Sequence, residues 1–240
     1  MKEKNELDIL IPVFNESENI IKTLKNILSV VECNYRILIC YDYNEDPTLN
    51  IIKKNFPQNS QIVFVKNFST GFNNALISGF KNSTAKATLV FMADDHTNHV
   101  MINACYLKFK EGYHVVCPSR FIKGGKMIGN PLLKSFLTKT ASFFLFNFTT
   151  FPIKDPTNSF RLFSTELVNK VKIESDKGFT LSLELAAKAH RLGYKFIEIP
   201  TTWIERDTGK SRFKLLTFLL PYTKWLFYII KTSIFYRNAK

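Results

Sequence analysis

The spacing of apolar residues changes period several times over the first hundred positions. DILIPVF (8–14) is a β-rich run interrupted by Pro12. NESENIIKTLKNILSVV (15–31) then places Ile20, Ile21, Leu24, Ile27 and Leu28 at helical intervals, with Asn15 or Ser17 as the expected cap. RILICYD (36–42) reads as a strand, PTLNIIKKNF (47–56) as a helix, QIVFVKN (61–67) as a strand and TGFNNALISGFKNS (70–83) as a helix entered through Gly71. ATLVFMADD (87–95) is a buried strand that runs into two carboxylates. This alternation predicts right-handed crossovers and an α/β fold: a Rossmann-like, mostly parallel sheet flanked by helices. Ligands of such sheets bind beyond the carboxyl ends of the strands. Polar residues gather there: Asn15 and Glu16 after the first strand, Asp42 after the second, Asn67 after the third, Asp94 and Asp95 after the fourth.

Beyond residue 100 the pattern turns aromatic. HVVC (114–117) reads as another strand, and SFFLFNFTTFPI (142–153) carries no charge but is shorter than the roughly 20 apolar residues a bilayer crossing needs. FKLLTFLLPYTKWLFYIIKTSIFY (213–236) is longer, but Lys214, Lys224 and Lys231 interrupt it. As a helix it puts Lys214, Thr217, Pro221, Lys224, Tyr228 and Lys231 on one stripe, with Leu, Phe, Ile and Trp over the rest. That predicts a C-terminal amphipathic helix lying in a membrane interface, lysine heads among the lipid phosphates and Trp225, Tyr228 and Tyr236 at head-group depth. A helix packed into the core or into a dimer is the competing reading.

The chain has 240 residues, 45% apolar and 14% aromatic, enough for one sizeable core. Residues 1–212 are expected to form that domain, with a nucleotide-binding part over 1–100 and an acceptor part over 101–212; 213–240 is the interfacial segment. A disordered tail and a disulfide mini-protein are excluded. The net charge of +13 is unevenly spread: residues 1–100 hold 10 Lys and Arg against 11 Asp and Glu, so of the 33 and 20 in the chain the remainder holds 23 against 9. The later part should therefore meet something anionic, a phosphorylated substrate or an anionic membrane surface. Nucleic acid is argued against as a partner, because the basic residues follow no known pattern of interleaved aromatics and the acid pair would repel phosphate without a metal. Cys33, Cys40, Cys105 and Cys117 lack CxxC spacing and read as reduced thiols. The opening MKEKNELD has acids where a secretory leader needs apolar residues, so a peripheral protein on the cytoplasmic face of the membrane is expected.

Adjacent carboxylates at the end of a buried strand, Asp94 and Asp95, are costly unless neutralised. A hard divalent cation, Mg²⁺ or Mn²⁺, bridging a substrate diphosphate is one solution; a helix N-cap beside a solvated acid is the other. His96 and His99 lie close by, without the Cys partners or HExxH spacing of a transition-metal site.

PVFNE (12–16), YDYNED (41–46), NFSTGFNNALISGF (67–80) and FMADD (91–95), in this order and at these intervals, resemble the GT-A nucleotide-sugar-binding domain of family 2 glycosyltransferases. CPSRF (117–121), KDPTNSFRLF (154–163) and the stretch 178–212 resemble the dolichol-phosphate mannosyltransferase and polyprenyl-phosphate glycosyltransferase branch. The likeness runs over about residues 7–235. It implies an inverting, metal-dependent hexosyltransferase that moves a sugar from a nucleoside-diphosphate sugar to a polyprenyl or dolichyl phosphate, or, alternatively, to a glycan hydroxyl. It assigns Pro12, Phe14, Asn15, Glu16, Asp42, Gly71 and Asp94 to the nucleotide sugar, and Asp94 and Asp95 to the metal. Arg120, Lys134 and Ser211 fall to the acceptor phosphate. Asp155, in the heptad DPTNSFR, and Arg206 and Arg212, flanking Gly209, fall to catalysis. Asp155 would take an acceptor proton or orient the acceptor phosphate, and the guanidinium forks suit diphosphate oxygens. The chain departs from the family in having Tyr41 where the first of two acids stands, Ala93 at the first acid of the metal motif, and Arg212 where the family has Lys.

Overall fold

The computed structural model describes residues 5–129, 132–176, 178–204 and 215–235, those at 132–134 and 215–220 by backbone only. Strands β1 (Leu7–Val13), β2 (Tyr35–Tyr41), β3 (Ile62–Lys66) and β4 (Ala87–Val90) alternate with helices α1 (Ile20–Val30), α2 (Pro47–Asn55) and α3 (Phe72–Asn82). A 3-10 turn at Asn98–Val100 leads into α4 (Met101–Lys110), β5 (Val115–Ser119), β6 (Lys126–Ile128) and α5 (Leu132–Phe148). There follow β7 (Arg161–Ser164), α6 (Thr165–Lys170), α7 (Leu181–Arg191), β8 (Phe196–Pro200), β9 (Thr202–Ile204) and α8 (Leu215–Phe235). Seven strands form one sheet in the order β3-β2-β1-β4-β7-β5-β8, while β6 and β9 pair apart from it. Only β7 runs against its neighbours, with Leu162 facing Leu89 of β4 and Val116 of β5. The expected mostly parallel α/β sheet is thus present.

Strand alternation explains why the sheet is covered on both sides. Leu10, Leu38 and Cys40 point into one apolar layer with Leu76 and Phe80 of α3 and the alanines of α7. Ile9, Ile11, Ile37 and Ile39 point into the other, against Leu24 of α1 and Ile102 of α4. Gly79 is where α3 comes closest to the sheet: a Cβ there would run into Leu10 Cδ2 and come within 2.9 Å of Cys40 Sγ. At the amino end of β1, Asp8 is fully buried and carries a charge there because Arg36 grips both its oxygens at 2.9 and 2.8 Å. Ser83 Oγ and the Thr84 and Ala85 amides complete its shell. Burial works against the carboxylate, but these donors hold it below the usual range.

Three boundaries differ from the sequence pattern. Helix α1 begins at Ile20 and not near Asn15, because Asn15 sits at φ +55° in a turn whose Glu16 carbonyl receives the Asn19 and Ile20 amides. Pro12 stays within β1, paired in register with Cys40. The strand expected to reach Asp95 ends at Val90; the Phe91 amide still donates to Leu10, and a turn at Met92 then takes the Asp95 amide.

The C-terminal helix departs further. Trp225, expected at head-group depth, is 2% exposed, donates Nε1–H to Ser175 Oγ at 3.0 Å and lies under the Lys188 ammonium. Ile229, expected below the lipid head groups, is also fully buried. The inner face of α8 is therefore core, and the lysine stripe is split: Lys224 and Lys231 face out with Phe227, Ile234 and Phe235, while Tyr228 packs inward. Lys224 also pairs with Glu174 at 2.9 Å, and the Lys188 and Lys224 ammoniums together pull the Glu174 carboxyl down to about 2. Lys214, Thr217 and Tyr236 of the expected stripe and aromatic belt lie outside the described side chains. Among its described side chains, helix α5, an aromatic segment without an assigned element in the sequence pattern, buries only Ser142 and Leu145 and exposes Phe136, Phe143 and Phe148. No helix among the described residues is long and apolar enough to cross a membrane.

Overpacking at the α3–sheet contact gives a direct check. Gly79→Ala should destabilise the protein by about 1–3 kcal/mol despite the better helix propensity of alanine, because Leu10 and Cys40 must move. The midpoint of urea unfolding measures it, and an unchanged or raised midpoint would contradict the packing.

Candidate active site

The carboxyl ends of β1 and β2 form the first wall. Asn15 adopts its left-handed conformation with its amide donated to Asp46 Oδ2 at 3.0 Å, and the Glu16 amide reaches Thr48 Oγ1 at 2.8 Å. Asp46 is fully buried and also caps α2 by accepting from the Thr48 amide at 2.9 Å. One carboxylate thus shapes two loops. Phe14, 44% exposed, meets Tyr43 edge to face at 5.7 Å, and the Tyr43 hydroxyl donates to Asn15 Oδ1 at 2.5 Å. This is an open aromatic edge beside a row of fixed amides. Pro12 lies half-buried just beneath it.

Asp42, after β2, accepts from Asn67 Nδ2 at 2.8 Å and from the Gly71 amide at 3.1 Å. Gly71 precedes α3 at φ +101°, a conformation glycine adopts without strain, so the positive end of that helix faces Asp42. The residues expected in this part, Pro12, Phe14, Asn15, Glu16, Asp42 and Gly71, lie at or beyond the carboxyl ends of β1 and β2 and at the start of α3.

The two acids after β4 part company. Asp95, 7% exposed, holds the turn: Oδ1 accepts from the Thr97 and Asn98 amides and the Thr97 hydroxyl, and Oδ2 from Asn98 Nδ2 at 2.8 Å. It caps the turn into α4, with three of these bonds on Oδ1 and one on Oδ2. Asp94 beside it is half-buried. The turn that carries both is pinned to α1 by Thr23 Oγ1 donating to the Ala93 carbonyl at 2.7 Å and Asn26 Nδ2 to the His96 carbonyl at 3.2 Å. Among the described residues no three His, Cys, Asp or Glu side chains gather as a metal cage. A single carboxylate nevertheless suits Mg²⁺ or Mn²⁺ that arrives with substrate phosphates, since such ions bind through one or two carboxylates plus phosphate oxygens.

The second wall is built around Asp155, which is fully buried. Arg120, following β5, grips it with Nε and Nη2, both at 2.7 Å, and donates its own amide at 2.9 Å; Nη2 also reaches Thr157 Oγ1 at 2.8 Å. The Asp155 peptide is held at both ends, its amide by Glu198 Oε1 at 3.0 Å and its carbonyl by Arg161 Nη2 at 2.9 Å. Burial works against the charge, but Arg120, with Arg161 behind it, holds the carboxyl below the usual range. A carboxylate so occupied is a poor proton acceptor; its geometry orients Arg120. Tyr222 of α8 is near enough to feel both arginines, although its burial outweighs them and raises the phenol to about 12. Its hydroxyl donates to the Phe179 carbonyl at 3.1 Å, tying α8 to the start of α7. Thr201 Oγ1, donating to Asn98 Oδ1 at 2.6 Å, links this wall to the first.

Arg206, Ser211 and Arg212 lie outside the described residues, as does the side chain of Lys134. The residues that sequence reasoning passed over are Asp46, Thr157, Arg161 and Tyr222. Asp46 had a legible signal, since Asp-Pro-Thr is a cap followed by proline at the first helical position. Tyr222 had none, because nothing local tells which face of α8 turns inward.

This architecture is the GT-A fold. Solved structures of glucosyl-3-phosphoglycerate synthase from Mycobacterium tuberculosis share it, one with Mn²⁺, UDP-glucose and phosphoglyceric acid at a TM-score of 0.70 and 12% identity, covering 95% of this chain and 80% of that one. Another, with Mn²⁺, UDP and glucosyl-3-phosphoglycerate, has a TM-score of 0.69 at 12% identity over the same shares. The profile of glycosyl transferase family 2 matches residues 8–172, and the chain belongs to that family. Dolichol-phosphate mannosyltransferase of Pyrococcus furiosus is 26% identical over 231 residues, 94% of this chain but 64% of the relative, so the chain spans less than two thirds of that protein. Undecaprenyl-phosphate mannosyltransferase of Micrococcus luteus is 23% identical over 208 residues, 85% of each.

The Asp155–Arg120 pair has a testable energetic signature. Arg120→Met should cost about 3–5 kcal/mol at pH 7, because it strands a buried charge. A carboxyl held below its ordinary value of 3.8 stabilises fully above that value and loses its contribution as pH falls through the lower folded value. The gap between parent and variant, from urea unfolding, should therefore narrow on acidification toward and below about pH 4. A gap constant from pH 7 to 3 would contradict the pairing.

Proposed function

We propose that the protein transfers a sugar, with inversion, from a nucleoside-diphosphate sugar to a polyprenyl phosphate at a membrane surface. The observation that carries this reading is the Arg120–Asp155 pair, a fixed guanidinium beyond the carboxyl end of β5. The named activities of the two relatives, which use dolichol and undecaprenyl phosphates, support the same acceptor class.

The chemistry needs little beyond positioning. A phosphate oxygen of the acceptor bonds to the anomeric carbon as the bond from that carbon to the leaving diphosphate breaks. The acceptor is already an anion, so no proton has to be removed, in keeping with an Asp155 whose oxygens are both engaged. Phe14 offers a face or edge for the base, Asp42 and the Gly71 turn an acceptor and a dipole for the ribose, and Arg120 a donor for the acceptor phosphate. Asp94 would hold Mg²⁺ or Mn²⁺, which when bound supplies charge neutralisation to the departing diphosphate. Arg206 and Arg212 are proposed to add guanidinium donors on the phosphate side, with Lys134 and Ser211 at the acceptor phosphate.

Membrane attachment belongs to this reading. The exposed Phe136, Phe143 and Phe148 of α5 and Phe227, Ile234 and Phe235 of α8 exceed what scattered surface apolar residues require. Lys224 and Lys231 stand among them, suited to anionic lipid. The proposed contact is a two-helix face, and not the single in-plane helix expected from the sequence.

Thermal unfolding in UDP or GDP, with and without Mn²⁺, tests the donor half. Nucleotide at a hundred times its Kd should stabilise by about 2.7 kcal/mol. Asp94→Asn should abolish the metal-dependent share and leave the unliganded protein as stable as the parent. Asp95→Asn should instead lower stability by about 0.5–2 kcal/mol with or without ligand, as the loss of a cap does. The same metal dependence in Asp94→Asn as in the parent would place the cation elsewhere. For the acceptor, radiolabelled sugar should pass to undecaprenyl phosphate; transfer only to glycan hydroxyls would refute the lipid-phosphate reading.

A further inference from the structure

The β6–β9 ribbon takes no part in the readings above. It consists of two three-residue strands, Lys126–Ile128 and Thr202–Ile204, paired in parallel outside the main sheet. The Lys126 amide donates to the Thr201 carbonyl, and the Thr201 amide to the Ser119 carbonyl, so the ribbon grows from the residue just before Arg120. Its approach is fixed: a Cβ on Gly125 would lie 2.5 Å from the Ser119 carbonyl oxygen and 2.8 Å from the Arg120 carbonyl carbon.

Register sets Met127 opposite Trp203 and Ile128 opposite Ile204, and strand alternation sends the two pairs to opposite faces. Met127 faces the candidate site, with Sδ 3.8 Å from Nη1 of Arg120, the one guanidinium nitrogen that Asp155 and Thr157 do not occupy. Ile128 and Ile204, the last residues of their strands, are 49% and 45% exposed. A two-stranded ribbon is marginal in water by itself and gains nothing there from an aliphatic outer face. Here apolar side chains begin at the available guanidinium nitrogen and continue over the end of the ribbon.

We infer that this ribbon is the subsite for the prenyl chain of the acceptor, the phosphate meeting Arg120 Nη1 and the first isoprene units running past Met127 and over Ile128 and Ile204. The inference rests on the polyprenyl-phosphate reading of the acceptor. The occupant follows from the order of chemistry along the surface: a cation, then a thioether, then branched aliphatics, complementary to an anion joined directly to a branched hydrocarbon. A glycan acceptor would call for hydroxyl partners along that path. A bilayer surface would call for cations around the isoleucines, where Lys126 alone shares their face among the described ribbon residues.

The test uses the full chain, without vesicles, and two soluble phosphates: farnesyl phosphate, with three isoprene units, and methyl phosphate. The parent should transfer sugar to farnesyl phosphate with a kcat/KM about tenfold or more above that for methyl phosphate, the order expected from burying part of such a chain. The double variant Ile128→Ser, Ile204→Ser, on exposed positions that do not hold the fold, should lose most of that preference while its rate with methyl phosphate and its nucleotide affinity stay at parent values. A double variant that keeps the full preference overturns the subsite, as does one that keeps it and instead loses sedimentation with anionic vesicles, which would make the ribbon a bilayer contact. A parent that transfers to neither phosphate refutes the acceptor reading itself, a result distinct from failure of the ribbon.

Discussion

A buried negative charge at Asp155 is the constraint around which the wall after β5 is organised. A carboxylate with no exposed surface persists only if its oxygens and its peptide are satisfied locally. Arg120 supplies three donors, and Glu198 and Arg161 fix the peptide from either side. Arg161 is itself fully buried and reaches onward to the Ser182 carbonyl of α7. The interactions that neutralise one charge therefore connect β5, β7, β8 and α7. The guanidinium of Arg120 is held by Nε and Nη2 on Asp155, leaving Nη1 beside Met127 Sδ. The arginine is pre-oriented by a cost already met in folding.

The loops beyond β1, β2 and β4 show the same economy at a smaller scale. Asp46 holds Asn15 in a left-handed conformation and caps α2, and Asp95 caps the turn that follows Asp94. In each case one acid is structural.

Much of the fold was legible because two periods do not mimic one another. Alternating Ile9, Leu10 and Ile11 could only serve a sheet covered on both sides, and Leu24 with Ile27 and Leu28 only a helix face. Boundaries failed where side chains acting at a distance decided them, as when Asp46 drew Asn15 out of the helix that its spacing invited. Asp94 and Asp95 could not be told apart in sequence, since the difference is which carboxylate meets the amides of the next turn. Trp225 was misplaced for a related reason. An indole suits both a lipid head-group layer and a core with a hydroxyl partner, and Ser175, fifty positions away, settled the matter. Helix α5 was hidden because its exposed phenylalanines carry no amphipathic period.

The reversed strand β7 has a consequence for the order in which the molecule can assemble. Strands β1, β2 and β3 pair across short crossovers, whereas β4 joins β1 with Ala87 against Leu7, eighty positions earlier, and β7 enters between β4 and β5 with Leu162 against Leu89, seventy-three positions earlier. Non-local pairings carry the larger loop-closure entropy and form late. The first three strands are thus the most local part of the sheet, and the edge of β1 stays open until β4 and then β7 arrive. That open edge is the stretch of chain on which a stalled folding intermediate would recruit a strand from another molecule.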